Sequence, residues 1–244
     1  MKVLEKKVTD IDYSTNFVIL IYCHNSFKSL KNNLTKILKQ EYPMEKYRII
    51  YIDDASNDET SQFIKSSKFK TLDIAKIDSI ETKSKSGIHK LLFNAMKQCD
   101  NDEVCVFLKA EDMIIEEKML STISHVYKNN NTDSVYDNYS KTNSHNTHSR
   151  KQLTEKNLNK YFNGLTTFKA SLFKKLSMED VQAEGNWLDI SSTVDLSLSL
   201  SELSDKTVFI KNITTSIYKP EIPKEFKKIY VDYVKKSKPL NPVT

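Results

Sequence analysis

The chain has 244 residues, a formal net charge of +5 at pH 7 and 39% hydrophobic residues, which suits one α/β domain or two small ones in a soluble globular protein. Lysine is scattered along the chain, and no basic run interleaved with aromatic residues occurs, so we expect no nucleic-acid partner. No apolar run is long enough for a signal peptide or a membrane span, so we expect neither. Three glycines leave no GxGxxG or P-loop motif, and three cysteines in apolar segments predict reduced core thiols and a cytoplasmic location.

The first half of the chain alternates predicted strands and helices. Short apolar runs predict strands at residues 17–23, 47–52 and 104–108, with a further short strand at 72–77. Apolar residues at helical spacing predict helices after residue 29, over 88–99 and over 119–127. The capping-box spacing of Ser56 and Glu59 predicts the start of another helix. This order predicts an α/β fold whose mostly parallel sheet carries helices on both faces.

The second half is less regular. Polar stretches at 128–134 and 137–152 bracket a short apolar piece at Val135 and Tyr136. A weak helix near 155–163, a strand at 166–169 and a short helix to residue 176 follow. Residues 193–204 fit either a strand or a helix. Strands at 207–210 and 215–218, a helix over 226–234 and a loose tail complete the chain, and single histidines at His89 and His125 are expected on helix surfaces.

Polar residues follow three of the predicted buried strands. They are the segment Tyr22-Cys23-His24-Asn25, the pair Asp53-Asp54 and the segment Lys109-Ala110-Glu111-Asp112. In an open parallel sheet, ligands bind at the carboxyl ends of the strands. Acids there suit the hydroxyl and imino groups of a nucleoside and a metal-bridged pyrophosphate. The alternative is that each acid only caps the helix that follows it.

Taken together, these segments resemble the family 2 inverting glycosyltransferases of GT-A fold. The matching pieces are FVILIYCHN at 17–25, YIDDASNDET at 51–60, the SG pair at 86–87 with Asn94, and VFLKAED at 106–112. The resemblance extends over residues 16–125. It implies one GT-A domain over 1–244, with a nucleotide-sugar-binding half at 16–125, an acceptor half at 126–219, and a C-terminal helix and tail at 220–244.

The resemblance also implies roles on the nucleotide side. Tyr22 and His24 would border the base and the ribose. Asp54, or Asp53, would accept a hydrogen bond from the imide nitrogen of the base and so favour a UDP-sugar. The loop over 83–90 would lie near the base or the diphosphate through Lys83, Gly87 and Lys90.

The phosphate side departs from the family pattern. In the family an Asp-x-Asp motif follows the next strand, and its acids contact the ribose and bind Mn²⁺ or Mg²⁺. Here Lys109 stands at the first position, before Ala110, and Glu111 stands at the second, before Asp112. A lysine neutralises phosphate directly but repels a nearby cation. Three possibilities stay open: Glu111 or Asp112 binds the metal, Lys109 replaces it, or the site no longer turns over.

An inverting transferase also needs a carboxylate as general base. The family places it in an acidic pair after a loop with Trp or Gly. Here Trp187 in such a loop precedes Asp195, which is therefore the candidate, with Asp189 and then Asp180 as competitors. The first acid of the pair is missing, and a helix N-cap or a surface acid is the alternative interpretation of Asp195.

The sequence thus predicts a glycosyltransferase that passes a sugar from a nucleotide donor to a hydroxyl of a sugar or protein acceptor, with inversion. Two other classes stay open. One is a catalytically inactive module of the same fold that binds a nucleotide or a glycan. The other is a nucleotidyltransferase-like α/β protein, which also uses acidic strand ends.

Overall fold

The computed structural model describes residues 2–3, 11–70, 76–114, 116–137, 154, 165–177, 196, 198–210, 214–216, 228, 231–232 and 235. The strands are β1 (Lys2–Val3), β2 (Phe17–Cys23), β3 (Tyr47–Asp53), β4 (Lys76–Glu81), β5 (Val104–Lys109), β6 (Asp112–Ile114), β7 (Ser134–Asp137), β8 (Thr166–Lys169), β9 (Thr207–Ile210) and β10 (Thr214–Ser216). The helices are α1 (Phe27–Ile37), α2 (Thr60–Lys70), α3 (Ile88–Met96), α4 (Met119–Asn130) and α5 (Ala170–Phe173), and a 3-10 turn spans Met44–Lys46.

A single sheet of eight strands organises the molecule. Its order is β1-β9-β7-β8-β5-β2-β3-β4. Strands β5, β2, β3 and β4 run parallel, and β8 is antiparallel to both of its neighbours, β5 and β7. Strands β6 and β10 form a separate antiparallel pair, and β6 follows closely after the end of β5 in the chain. The sheet is therefore mostly parallel, as predicted.

Two apolar layers cover the sheet. Because side chains alternate along a strand, Phe17, Ile19 and Ile21 of β2 face one layer, and Val18 and Leu20 face the other. The first layer contains the apolar faces of α1 and α4, and the second contains those of α3 and α5. All three cysteines are buried free thiols, as predicted. Helices thus pack on both faces, which confirms the predicted α/β class.

Several details of the local prediction were wrong. The strand predicted at 72–77 ends too early, since β4 is Lys76–Glu81, and residues 72–75 lie outside the described residues; one of the six residues of β4 is buried, so β4 gives no apolar run. Ser56 does not cap α2, because its hydroxyl accepts a hydrogen bond from Asn25 N–H at 2.9 Å, and the helix begins at Thr60. His89 is buried instead of exposed.

The ambiguous segment is helical at residues 196 and 198–203, and residues 134–137 form a strand. Residues 228, 231, 232 and 235 are helical, in keeping with the predicted last helix. The weak helix near 155–163 lies outside the described residues. Within the described ranges, no helix is long and apolar enough to cross a bilayer.

Candidate functional site

The carboxyl ends of the parallel strands meet at one edge of the sheet. Cys23 of β2 is in register with Asp53 of β3, which is in register with Glu81 of β4, and Tyr22 is in register with Lys109 of β5. From β2 the chain proceeds to β3 and β4 on one side, and β5 lies on the other side. In open α/β sheets, ligands bind where the direction of strand order reverses, and here that point lies between the ends of β2 and β5.

The loops after β2 and β3 are joined by hydrogen bonds. A ring nitrogen of His24, Nδ1, lies 2.7 Å from the backbone oxygen of Asp54. Asn57 N–H donates to Asn25 Oδ1 at 2.8 Å. Asn25 and Ala55 both adopt left-handed backbone angles, with φ of 53° and 58°. These bonds and turns fix His24 beside the end of β3.

The Asp53 carboxylate is buried and accepts hydrogen bonds from other groups of the protein. Its side chain is 1% exposed. Oδ1 accepts a hydrogen bond from Ser56 N–H at 3.1 Å, and Oδ2 accepts one from the Ser61 hydroxyl. Asp53 therefore ties the turn after β3 to α2, which is the structural role that a strand-terminal acid commonly has.

Asp54 is enclosed more completely. It is 0% exposed, and its carboxylate accepts hydrogen bonds from Ser86 N–H at 2.7 Å, Gly87 N–H at 3.1 Å and the Tyr22 hydroxyl at 3.0 Å. The Thr82 hydroxyl makes a longer contact of 3.4 Å with Oδ1. Asp54 thus holds the loop before α3 against β2 and β3, and two backbone N–H groups stabilise its charge.

This enclosing loop carries exposed positive charge. Gly87 is the N-cap of α3, with φ of 80° and ψ of 146°, a conformation that favours glycine. Lys83 and Lys85 of the loop and Lys90 in the first turn of α3 are exposed. Because Gly87 N–H is bound to Asp54, the loop and its lysines are anchored at the end of β3.

The turn after β5 is fixed from several sides. Ala110 is buried, and its N–H donates to Tyr22 O at 2.8 Å. Lys109 N–H donates to Asp112 Oδ2 at 2.8 Å, which closes the turn on itself. Glu111 is half-buried, and its Oε1 accepts a hydrogen bond from the Ser26 hydroxyl at 2.7 Å. The predicted Lys109–Asp112 segment therefore lies beside the loops of β2, as the parallel register requires.

Ser26 and Asn33 of the α1 region were missed by the sequence analysis. Asn33 Nδ2 donates to Ala110 O at 2.7 Å, and the contact is buried. One signal was available, because Asn33 is a polar residue on the same buried face of α1 as Leu30 and Leu34. Ser26 gives no such signal, because serine is common directly before a helix, where its hydroxyl can cap the first turn.

Glu111 and Asp112 supply carboxylates that a divalent cation would require. Oxygen ligands suit Mg²⁺ and Mn²⁺, and Mg²⁺ beside phosphates commonly takes one or two protein carboxylates and completes its shell with phosphate and water oxygens. Among the described residues, no group of three His, Cys, Asp or Glu side chains is placed to hold a metal ion. These two carboxylates would fit a cation that shares its remaining ligands with a diphosphate and water.

Two side chains at this edge have shifted pKa values. Burial raises the pKa of the Cys23 thiol, and the nearby carboxylates of Asp53 and Glu111 raise it further, so Cys23 is a neutral core group. Burial also acts to raise the pKa of Asp58, but hydrogen bonds from Thr60 and from Phe27 N–H outweigh it and lower that pKa. The beginning of α2 therefore keeps a negative charge at neutral pH.

The predicted catalytic carboxylate cannot be placed in this geometry. Asp195, its competitors Asp189 and Asp180, and Trp187 all lie outside the described residues. The predicted residues that the structure does bring together are those of the nucleotide side and of the turn after β5.

A sequence model described as "Glycosyl transferase family 2" matches residues 18–182, which is more than half of the chain and includes every strand of the parallel edge. The chain belongs to glycosyl transferase family 2. The predicted family is thereby confirmed, and the nucleotidyltransferase alternative loses its support.

A curated relative of this family 2 glycosyltransferase is a poly(ribitol-phosphate) β-N-acetylglucosaminyltransferase, TarS, of Staphylococcus aureus. The two are 28% identical over 103 residues, which is 42% of this chain and 17% of TarS. The chain therefore matches about a sixth of the length of that relative.

Solved structures show the same fold. The TarS fragment 1–349 has a TM-score of 0.60 at 15% identity, over 89% of this chain and 69% of the fragment. A mannosyltransferase of Pyrobaculum calidifontis in complex with GDP-Man and Mn²⁺ has a TM-score of 0.64 at 14% identity, over 96% and 70%. The glucosyl-3-phosphoglycerate synthase of Mycobacterium tuberculosis with Mn²⁺ and UDP has a TM-score of 0.57 at 12% identity, over 91% and 77%. The family 2 chain thus has the predicted GT-A fold.

Proposed function

We propose that the chain binds a nucleotide sugar, specifically a UDP-sugar, and transfers the sugar with inversion to a hydroxyl of a sugar or protein acceptor. The observation that carries this proposal is the meeting of two sets of polar groups at the carboxyl ends of β2, β3 and β5. There the base-side residues Tyr22, His24 and Asp54 lie beside the turn that holds Lys109 and Glu111. A nucleoside and its diphosphate need these two kinds of group side by side.

The base would be recognised at Asp54. Uracil offers an imide N–H as a donor, and cytosine lacks this group, so a carboxylate acceptor favours uridine over cytidine. Because protein donors already surround Asp54, the base must take the place of one of them. The Tyr22 hydroxyl can leave by side-chain rotation, whereas Ser86 N–H and Gly87 N–H can leave only if the backbone moves. We therefore expect Tyr22 to give way and to border the base.

The diphosphate would lie toward the turn after β5. Lys109, with Lys83 and Lys90 from the loop before α3, would supply positive charge to it. Glu111 and Asp112 would hold Mn²⁺ or Mg²⁺, and the bound cation would supply charge that stabilises the departing diphosphate. The Mn²⁺ in the complexes of the mannosyltransferase and the synthase supports this assignment. Lys109 opposes it, because an ammonium group repels a cation held on the same turn.

Catalysis is assigned to Asp195. Its carboxylate would accept the proton of the acceptor hydroxyl while that oxygen attacks the anomeric carbon from the side opposite the diphosphate. The bond from this carbon to the diphosphate oxygen breaks in the same step, which inverts the configuration. The support is the position of Asp195 after Trp187 in the sequence. Asp195→Asn should abolish transfer and leave UDP binding within about twofold of wild type, and unchanged transfer would refute the assignment.

The nucleotide is tested by a thermal-shift panel of UDP, GDP, CMP and their sugars, with and without Mn²⁺. A ligand at about 100 times its Kd stabilises the fold by about 2.7 kcal/mol. For a chain of this size, that stabilisation raises Tm by about 5–10 °C. We expect this rise with UDP-sugars and a larger one with Mn²⁺. A rise with GDP compounds alone would refute the uridine assignment, and no rise with any nucleotide would refute the donor class.

A catalytically inactive nucleotide- or glycan-binding module is the second candidate. Lys109 at the first position of the acidic motif favours it. Release of UDP from UDP-sugars by the purified protein separates the two functions, because a module would bind the donor and release no UDP. Asp195→Asn is the matched control, since it should suppress the release by an enzyme.

A further inference from the structure

Helix α1 presents two polar side chains to the turn after β5. Ser26 is the N-cap of α1, and Asn33 lies seven positions later, which is two helical turns. Residues at this spacing lie on the same side of a helix. The side chains are 6% and 3% exposed, so both polar groups are turned toward the protein.

Asn33 completes the hydrogen bonding of Ala110. Its Nδ2 donates to Ala110 O at 2.7 Å, and Ala110 N–H donates to Tyr22 O at 2.8 Å. Both backbone polar groups of Ala110 are therefore bonded, one to α1 and the other to β2. Ala110 lies between Lys109 and Glu111, so its two hydrogen bonds fix the orientation of the backbone directly before Glu111.

Ser26 acts on Glu111 itself. Its hydroxyl donates to Glu111 Oε1 at 2.7 Å, across 85 positions of sequence. The hydroxyl also lies 3.0 Å from His24 O, and its single hydrogen can serve only one of these acceptors at a time. In turn Ser26 N–H donates to the Thr60 hydroxyl at 3.0 Å, which anchors Ser26 to the start of α2. Among the described residues, no other hydrogen bond reaches the Glu111 carboxylate.

The bond to Glu111 does more than the fold requires. Glu111 is only half-buried, so water could satisfy its carboxylate if Ser26 were absent. A hydroxyl that binds one carboxylate oxygen orients the group and reduces its motion, and such support commonly changes metal affinity by about 10–100-fold.

We propose that Ser26 and Asn33 are positioning residues, which hold the Lys109–Asp112 turn and the Glu111 carboxylate in the orientation that receives the diphosphate and its cation. This role rests on the proposed function and adds two residues to it. Neither side chain is assigned a contact with the substrate.

Calorimetric titration of Mn²⁺ into the protein saturated with UDP tests the proposal. The variants are Ser26→Ala, Ser26→Thr, which keeps the hydroxyl, and Asn33→Leu, which has a similar size and no charge but loses the donor to Ala110 O. The matched control is Ser121→Ala, because Ser121 is a buried helix serine in α4 that donates to a backbone oxygen, that of Lys118, at 3.1 Å.

We expect Ser26→Ala to raise the Kd of Mn²⁺ about tenfold, Asn33→Leu to raise it in the same direction, and Ser26→Thr to restore it. Ser121→Ala should leave this Kd unchanged, and in the absence of Mn²⁺ the affinity of Ser26→Ala for UDP should match that of wild type. The positioning role alone is overturned if wild type binds UDP and Mn²⁺ and Ser26→Ala binds both equally well. A wild-type protein that does not bind UDP overturns the proposed function and this role with it. Binding of UDP without any response to Mn²⁺ overturns the assignment of Glu111 and therefore the role of Ser26.

Discussion

Replacing Asp54 with asparagine should destabilise the fold as well as the nucleotide site. The buried carboxylate accepts hydrogen bonds from two backbone N–H groups, those of Ser86 and Gly87, one at each oxygen. An amide has a single oxygen, so its NH₂ group must face one of these N–H groups whichever way it is turned. The hydroxyls of Tyr22 and Thr82 can rotate to accept from the NH₂ group, but a backbone N–H cannot.

The expected loss follows from these contacts. A hydrogen bond to a charged group contributes about 1.5–3 kcal/mol, and a buried donor without a partner costs about 1–3 kcal/mol. Part of the loss is recovered because an amide is easier to bury than a carboxylate. We therefore expect Asp54→Asn to lower the free energy of unfolding by about 3 kcal/mol. For a chain of this length, Tm would fall by about 6–12 °C.

Urea unfolding followed by far-ultraviolet circular dichroism measures this change. Asp58→Asn is the matched control, because Asp58 accepts hydrogen bonds from two backbone N–H groups at an exposed site, and asparagine serves a helix N-terminus about as well as aspartate. The control should stay within about 0.5 kcal/mol of wild type. If Asp54→Asn unfolds at the same urea concentration as the control, Asp54 does not hold the loop before α3 in the way described.

Three further predictions concern other parts of the structure. Gly87→Ala should lower the free energy of unfolding by about 1–2 kcal/mol in the same urea assay, because φ is 80° at Gly87. As the control, Asn131→Gly, at φ of 46° after α4, should leave the free energy of unfolding unchanged or raise it slightly. Equal stability of Gly87→Ala and wild type would contradict this prediction. Burial acts to raise the pKa of Glu103, but the two hydrogen bonds from Arg48, at 3.0 and 2.8 Å, outweigh burial and lower that pKa. The ion pair therefore stabilises the fold above the pKa that Glu103 has in the unfolded chain. This stabilisation disappears as the pH falls through the lower pKa of the folded state. The stability gap between wild type and Glu103→Gln should therefore be constant above about pH 5 and narrow below about pH 4.5, and a gap that widens in acid would disprove the link. Lys109→Asp should lower the Kd of Mn²⁺ measured with UDP by about tenfold, since it removes a positive charge from the turn, and an unchanged Kd would mean that Lys109 lies too far from the cation to repel it.

The main strands could be predicted because burial on both faces gives them a plain sequence signal. Strands β2, β3 and β5 are continuous apolar runs, as parallel strands covered by helices must be. Strand β4 lies at the edge of the sheet and has one buried residue among six, so the apolar run that would mark it is absent and the predicted strand ended at residue 77 instead of 81. Strands β6 and β10 have three residues each and are far apart in the sequence, so no local pattern predicts their pairing.

The position of the site could be predicted, but the use made of its acids could not. The strand ends place Asp53 and Asp54 at the carboxyl edge, and the sequence shows this directly. Their partners are backbone N–H groups of the turn after β3 and of the loop before α3, and a hydroxyl of α2, and none of these has a residue signature. The bond between Ser26 and Glu111 was invisible for a related reason, since it joins residues 85 positions apart.

The order of strands in the sheet has a consequence for synthesis of the chain. The pairings among β2, β3, β4 and β5 all lie within residues 17–109, so this parallel block needs no strand from later in the chain. The other edge of β5, an apolar strand, is covered only by β8, which begins at Thr166. Until then the nascent protein presents an unpaired apolar edge, which is the kind of surface that chaperones bind and that pairs wrongly with other chains.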